Sequence, residues 1–175
     1  MIKRMSLIAM MTCIMIVCSW LTIPAAVPFT MQTFAVFCSL ILLGGKASLT
    51  SLMLYVFIGS VGIPVFSGFQ GGIGHILGPT GGYIVGFIIS AAFYWLLEPL
   101  LAKSEKVRLV ALVGALLICY LFGTLWFLAV YGIRGSSYSL GAVLSLCVFP
   151  YIIPDIIKLA LAWFVSKKVR KIYRE

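Results

Sequence analysis

The segment Phe149–Phe164 reads FPYIIPDIIKLALAWF and sets a carboxylate, Asp155, and an ammonium, Lys158, in an otherwise apolar run. A spacing of three places both groups on one face of a helix. In a low-dielectric setting such a pair serves one of two ends. It pins its helix in a bundle as a structural ion pair, or it forms a polar site for a substrate or a proton. Pro150 and Pro154 stand just ahead of it. Each removes a backbone donor and frees a carbonyl. A helix broken or bent at Pro154 would set bare backbone acceptors beside the acid, as discontinuous membrane helices do at substrate sites.

Other chemistry is sparse. His75 is the only histidine, and no cluster of acids surrounds it in the sequence, so no metal site is expected. No Ser or Cys has a His and an acid in a nucleophile–base pattern, which argues against an enzyme. Cys13, Cys18, Cys38, Cys119 and Cys147 lie in apolar segments without CxxC spacing and read as small buried hydrophobes. The run GGIGHILG lacks the spacing, preceding strand and later acid of a dinucleotide fingerprint. In GGKAS, Ala47 stands where a phosphate-binding loop needs Ser or Thr, and Leu40 where it needs its first Gly. If this chain moves a solute with ATP, another subunit hydrolyses it.

The elements that must position the pair follow from composition. Of 175 residues, 63% are hydrophobic and 10% charged, too few charges for a soluble domain of this size. A single-domain, all-α integral membrane protein is expected, since lipid leaves no other way to satisfy the backbone. Six apolar segments emerge, at about 5–23, 31–43, 47–61, 80–101, 107–131 and 140–165. The first follows a basic pair like a signal peptide but ends without a small-residue cleavage site, so a retained span is expected. The second is short, and must be tilted, partly embedded or shielded by other helices.

With the N-terminus inside, 11 of the 13 basic residues fall on the cytoplasmic side: Lys3, Arg4, Lys46, Lys103, Lys106, Arg108, Lys167, Lys168, Arg170, Lys171 and Arg174. Only Arg134 falls outside, and Lys158 within the membrane. This asymmetry predicts six transmembrane helices with both termini cytoplasmic. It also reads the net charge of +9 as a topology signal beside anionic lipid, not as a nucleic-acid footprint. Counting inward from Lys167, Lys158 and Asp155 lie at depths of roughly 13 and 18 Å, near the middle of the hydrocarbon. The other acids, Glu98, Glu105 and Glu175, fall near the cytoplasmic side. An isolated charge at that depth costs at least about 2.5 kcal/mol.

The outward-facing stretches are uncharged or rich in glycine. Gly59–Phe87 holds 10 of the chain's 17 glycines and keeps Phe66, Phe69, His75 and Tyr83 among them. Glycine permits sharp turns and close backbone approach, and aromatics on such a frame make a lid or wall for a small amphipathic molecule. A compact re-entrant loop without a ligand is the competing reading. In the first segment Ala9 and Cys13, four apart, form a small-xxx-small pair that lets another helix come close; such pairs are common by chance, and taken alone this one reads as internal packing.

These residues carry a resemblance along essentially the whole chain. VPFTMQTFAV, the block from Tyr55 to Phe87 with GIPVF and GPTGGY, GTLWFLAVYG, and the later P-D-x-x-K resemble the BioY family, the biotin-specific S component of energy-coupling-factor (ECF) vitamin transporters. The resemblance implies a six-helix S-component bundle in the cell membrane that binds biotin near its outer side. The ATPase subunits and a transmembrane coupling subunit would be its partners. It also implies that Asp155 and Lys158 contact the polar ring of biotin, and that Ala9 and Cys13 meet the coupling subunit, with Cys13 where the family carries a second alanine.

The chemistry matches such a ligand. The ureido ring of biotin offers two N–H donors and a carbonyl; a carboxylate accepts from the first and an ammonium donates to the second. Phe66, Tyr83 and Trp126 are expected as the apolar wall, and Thr80, His75 or backbone N–H groups as donors to the carboxylate tail. Lys158 could serve that tail instead. Gln32 and Thr30 are expected lid contacts. Two rival readings stand beside this one: an S component for another vitamin, and a membrane scaffold whose Asp–Lys pair only packs.

Overall fold

The structure, a computed structural model, describes residues 2–25, 27–101, 104–135 and 138–172. Lys103, Arg174 and Glu175 of the charge map lie outside the described residues. In chain order come α1 (Ile2–Trp20), a short antiparallel hairpin of β1 (Thr22–Ile23) and β2 (Phe29–Thr30), α2 (Gln32–Leu43) and α3 (Gly45–Ser60). A 3-10 turn (Ser67–Phe69) and α4 (Ile73–Ile76) lead into α5 (Gly81–Leu96) and α6 (Glu98–Leu101). Then follow α7 (Glu105–Ile133), α8 (Leu140–Cys147) and α9 (Phe149–Ile172). Among the described residues, three segments are long and apolar enough to cross a membrane: Ile2–Trp20, Glu105–Ile133 and Leu140–Lys171, the last running through α8 and α9.

Periodicity decides which face of each helix turns inward. Along α9, Tyr151, Asp155, Lys158, Leu159 and Ala162 are buried, while Ile153, Ile156, Ile157 and Phe164 are exposed. A wholly apolar outer stripe is what lipid selects, since acyl chains are as apolar as leucine. The same alternation on α7 buries Ala111, Leu112, Ala115, Leu116 and Cys119 and exposes Val110, Val113, Leu117 and Leu121. The short second segment resolves as α2, buried on nearly every face: its neighbours shield it, as an apolar-all-round helix requires.

Helix association in lipid relies on close packing and interhelical hydrogen bonds. α1 and α3 meet through Thr12 Oγ1 and Ser51 Oγ, 2.9 Å apart. Ser39 donates to Ser48 Oγ at 2.9 Å between α2 and α3, and Ser90 of α5 donates to the Ala115 carbonyl of α7 at 2.6 Å. α5 and α7 share the most extensive contact, and α2 with α9 the next. Small residues make the first possible. Gly82 of α5 lies under Trp126, Gly123 of α7 under Tyr83, and Gly86 against Cys119.

The expected break beside Asp155 lies elsewhere. The chain turns at Val148 (φ −125°, ψ −59°), between α8 and α9, and α9 runs on through Pro154. Pro150 occupies the first turn, where a missing N–H is no loss. Pro154 still frees the Pro150 carbonyl one turn earlier.

Candidate functional site

The paired charges of α9 face inward. Asp155 and Lys158 are each 4% exposed, and Lys158 Nζ stands 2.8 Å from Asp155 Oδ1. The second carboxylate oxygen, Oδ2, accepts from the Tyr120 hydroxyl of α7 at 2.5 Å. Both oxygens therefore have one donor, and each keeps lone-pair capacity for another. Lys158 Nζ also sits 4.0 Å from the centre of the Phe29 ring on β2, a cation–π contact that steadies the ammonium.

The same face ties down the hairpin. Tyr151, four residues before Asp155, stacks on Phe29 with ring centres 6.2 Å apart. Its hydroxyl donates to the Val27 carbonyl. Tyr151, Asp155 and Lys158 thus form one continuous stripe, spaced four and three, with the loop Val27–Thr30 latched over it.

The glycine-rich block builds the facing wall. Phe66, fully buried, stacks on His75 (5.2 Å, 14° between planes) and makes a T-shaped contact with Tyr55 (5.5 Å). Gly59 must be glycine, because a Cβ there would lie 2.1 Å from Phe66 Cζ. Gly72 enters α4 at φ +92°, open only to glycine at low cost. Burial pushes the His75 imidazole below its usual pKa and so favours its neutral form. Phe69, by contrast, points out and stacks on Trp20 at 5.1 Å.

These walls surround an open-mouthed cavity of about 70 Å³. Among the residues expected from sequence, Asp155, Lys158, Tyr83, Phe66, Thr80, His75, Gln32 and Thr30 all line it. Trp126 does not line it: its indole Nε1 donates to the Gly78 carbonyl at 3.0 Å while its ring covers Gly82. It braces the GPTGGY turn against α7 instead of walling the ligand space. Ala9 and Cys13 lie on the outward face of α1, so they do not serve internal packing. Cavity residues that sequence reasoning passed over include Tyr120, Tyr151, Tyr55, Thr33, Cys119 and Cys147. Tyr151 was available from its spacing to Asp155; Tyr120 has no comparable signal within its apolar helix.

The chemistry on offer is that of a binding pocket. One end presents a charge-assisted acceptor and donor side by side, and the walls are aromatic and apolar. All five cysteines are free thiols, and the described residues hold no cluster of His, Cys, Asp or Glu suited to a metal.

A family model described as the BioY family matches residues 1–175. The chain is 36% identical over 169 residues to the "Probable biotin transporter BioY" of Pyrococcus horikoshii, covering 96% of each chain. It is 34% identical over 164 residues to the "Biotin transporter BioY" of Thermotoga maritima, covering 92% of each. Its fold matches the crystal structure of the S-component for biotin from an ECF-type ABC transporter with a TM-score of 0.84, at 26% identity, over 97% of this chain and 92% of that one. The architecture is that of a largely helical membrane protein resembling an ECF S-component, and the chain belongs to the BioY family.

Proposed function

We propose that the chain is the S component of an ECF-type biotin transporter, a capture subunit and not an enzyme. It takes biotin from outside the membrane, and partner ATPase subunits working through a transmembrane coupling subunit drive delivery. The observation that carries this reading is the buried Tyr120–Asp155–Lys158 group on the cavity wall. Each free lone pair on the Asp155 carboxylate suits a ureido N–H, and an ammonium hydrogen on Lys158 suits the ureido carbonyl. Such bonds are charge-assisted and shielded from water, hence strong. Tyr83, Phe66 and Tyr55 supply apolar surface for the fused rings and the aliphatic chain.

In this reading α1, α2, α3, α5, α7 and the α8–α9 unit make six passes, with both termini cytoplasmic. Lys167 and Glu105, 2.7 Å apart, then mark the inner face. The outward stripe of Ala9 and Cys13 is the natural place for a coupling-subunit helix, because small side chains let backbones approach. The lipid bilayer is the remaining partner, and nucleic acid has no role.

Titration of the purified protein with biotin tests the reading. Saturable binding, competed by unlabelled biotin and not by other vitamins, is the expected result. A folded protein that ignores biotin, or prefers another vitamin, would sink it. For topology, a C-terminal tag is expected to resist protease in intact cells and to be cleaved after lysis. Cleavage in intact cells reverses the orientation.

A further inference from the structure

At the end of the bundle away from the cavity, the turn between α2 and α3 packs against the end of α5. Two glycines make the approach possible. A Cβ on Gly45 would lie 2.3 Å from Trp95 Cα, and one on Gly44, at φ +80°, 2.5 Å from Glu98 Oε1. The fit sets Lys46 of α3 over Trp95, with Nζ 5.8 Å from the ring centre. Alongside opens a groove of about 440 Å³ lined by Trp95, Leu96, Glu98 and Pro99.

The groove joins an apolar surface to two opposite charges. Trp95 and Leu96 are 41% and 77% exposed. Among the described residues, Lys46 and Glu98 take part in no ion pair. The place is the end of a membrane helix, where tryptophan meets lipid headgroups. An unpaired ammonium and an unpaired carboxylate beside an apolar groove are complementary to a molecule with an anion, a cation and an alkyl chain. A phospholipid with a primary ammonium headgroup has all three. Its phosphate suits Lys46, its ammonium donates to Glu98 in a charge-assisted bond, and an acyl chain lies on Leu96 and Trp95. A choline headgroup has no N–H for the carboxylate and depends on an aromatic face, yet the Trp95 face is already taken by Lys46. A glycerol headgroup brings no cation to offset repulsion between its phosphate and Glu98.

We propose that this groove binds a phosphatidylethanolamine lipid, held by Glu98 and Lys46 on either side of Trp95. The assignment is independent of the biotin reading and needs only that the chain sits in a membrane.

The test reads Trp95 fluorescence, taken as the difference between wild type and Trp95→Phe, in phosphatidylcholine nanodiscs doped with lipids whose acyl chains carry bromine, a tryptophan quencher. Brominated phosphatidylethanolamine should quench half-maximally at a share about threefold lower than brominated phosphatidylcholine or phosphatidylglycerol. Glu98→Gln should bring it to the level of phosphatidylcholine. Lys46→Met should raise its half-maximal share by about threefold. Both side chains are exposed, and an unchanged thermal midpoint in phosphatidylcholine alone checks that the variants fold. Equal quenching by the three lipids would mean that only the ordinary lipid annulus touches Trp95, and it overturns the assignment. So does stronger quenching by phosphatidylglycerol, or a phosphatidylethanolamine preference that survives Glu98→Gln.

Discussion

Asp155→Asn is expected to weaken biotin binding by about a hundredfold or more. Asp155 receives Lys158 on one oxygen and Tyr120 on the other. An asparagine keeps a single acceptor and turns an NH2 group toward one of these donors. It also leaves the Lys158 ammonium buried without a counter-charge, and breaking a buried pair this way costs about 3–5 kcal/mol of stability. Binding and stability therefore fall together in the single variant, and affinity alone would not separate a ligand site from a packing device. The double variant Asp155→Asn/Lys158→Met separates them. Removing the orphan ammonium should return most of the thermal stability, whereas biotin binding should stay lost. Recovery of biotin binding in the double variant would show that the pair only packs.

Gly123→Val should have the second large effect. Its Cβ would lie 2.3 Å from Tyr83 Cε1, where only a shift of the ring or of the whole helix gives relief. Tyr83 is a cavity wall, and its hydroxyl reaches the Cys147 carbonyl at 3.4 Å. Moving the ring disturbs the site and the α8 end in one step. Gly82 under Trp126 blocks the reciprocal adjustment, with a Cβ there falling 2.2 Å from Trp126 Cβ. Overpacking of this kind costs about 1–3 kcal/mol or more, and a loss of biotin affinity of at least about tenfold is expected with it. Gly132→Val is the control, because nothing lies within 4 Å of a Cβ at that position on the same helix. Equal thermal midpoints for the two variants would refute close packing at Gly123.

The acid and base of α9 were legible because charge in an apolar run has few explanations, and the glycine-rich block because aromatics recur in it. Tyr120 was not legible. A tyrosine among aliphatic residues reads as core filler, and only the fold shows that its hydroxyl meets α9. Trp126 illustrates the converse. It looked like a wall residue, but six positions along a helix from Tyr120 turn it about 120° away, toward the Gly78 turn. The prolines drew attention to 150–154, while the chain breaks at Val148, where no residue type announces it.

The far ends of α2 and α9 give the cavity a mechanical frame. Arg170, near the end of α9, donates to the Ile41 carbonyl in the last turn of α2. Both helices start at the cavity and run the same way, so α2 and α9 are riveted together at their far ends and border the cavity at their near ends. Between Asp155 and Arg170 lies an unbroken rod of about 22 Å. With the joint at one end and the cavity at the other, the two helices make a fork whose tines are walls of the cavity.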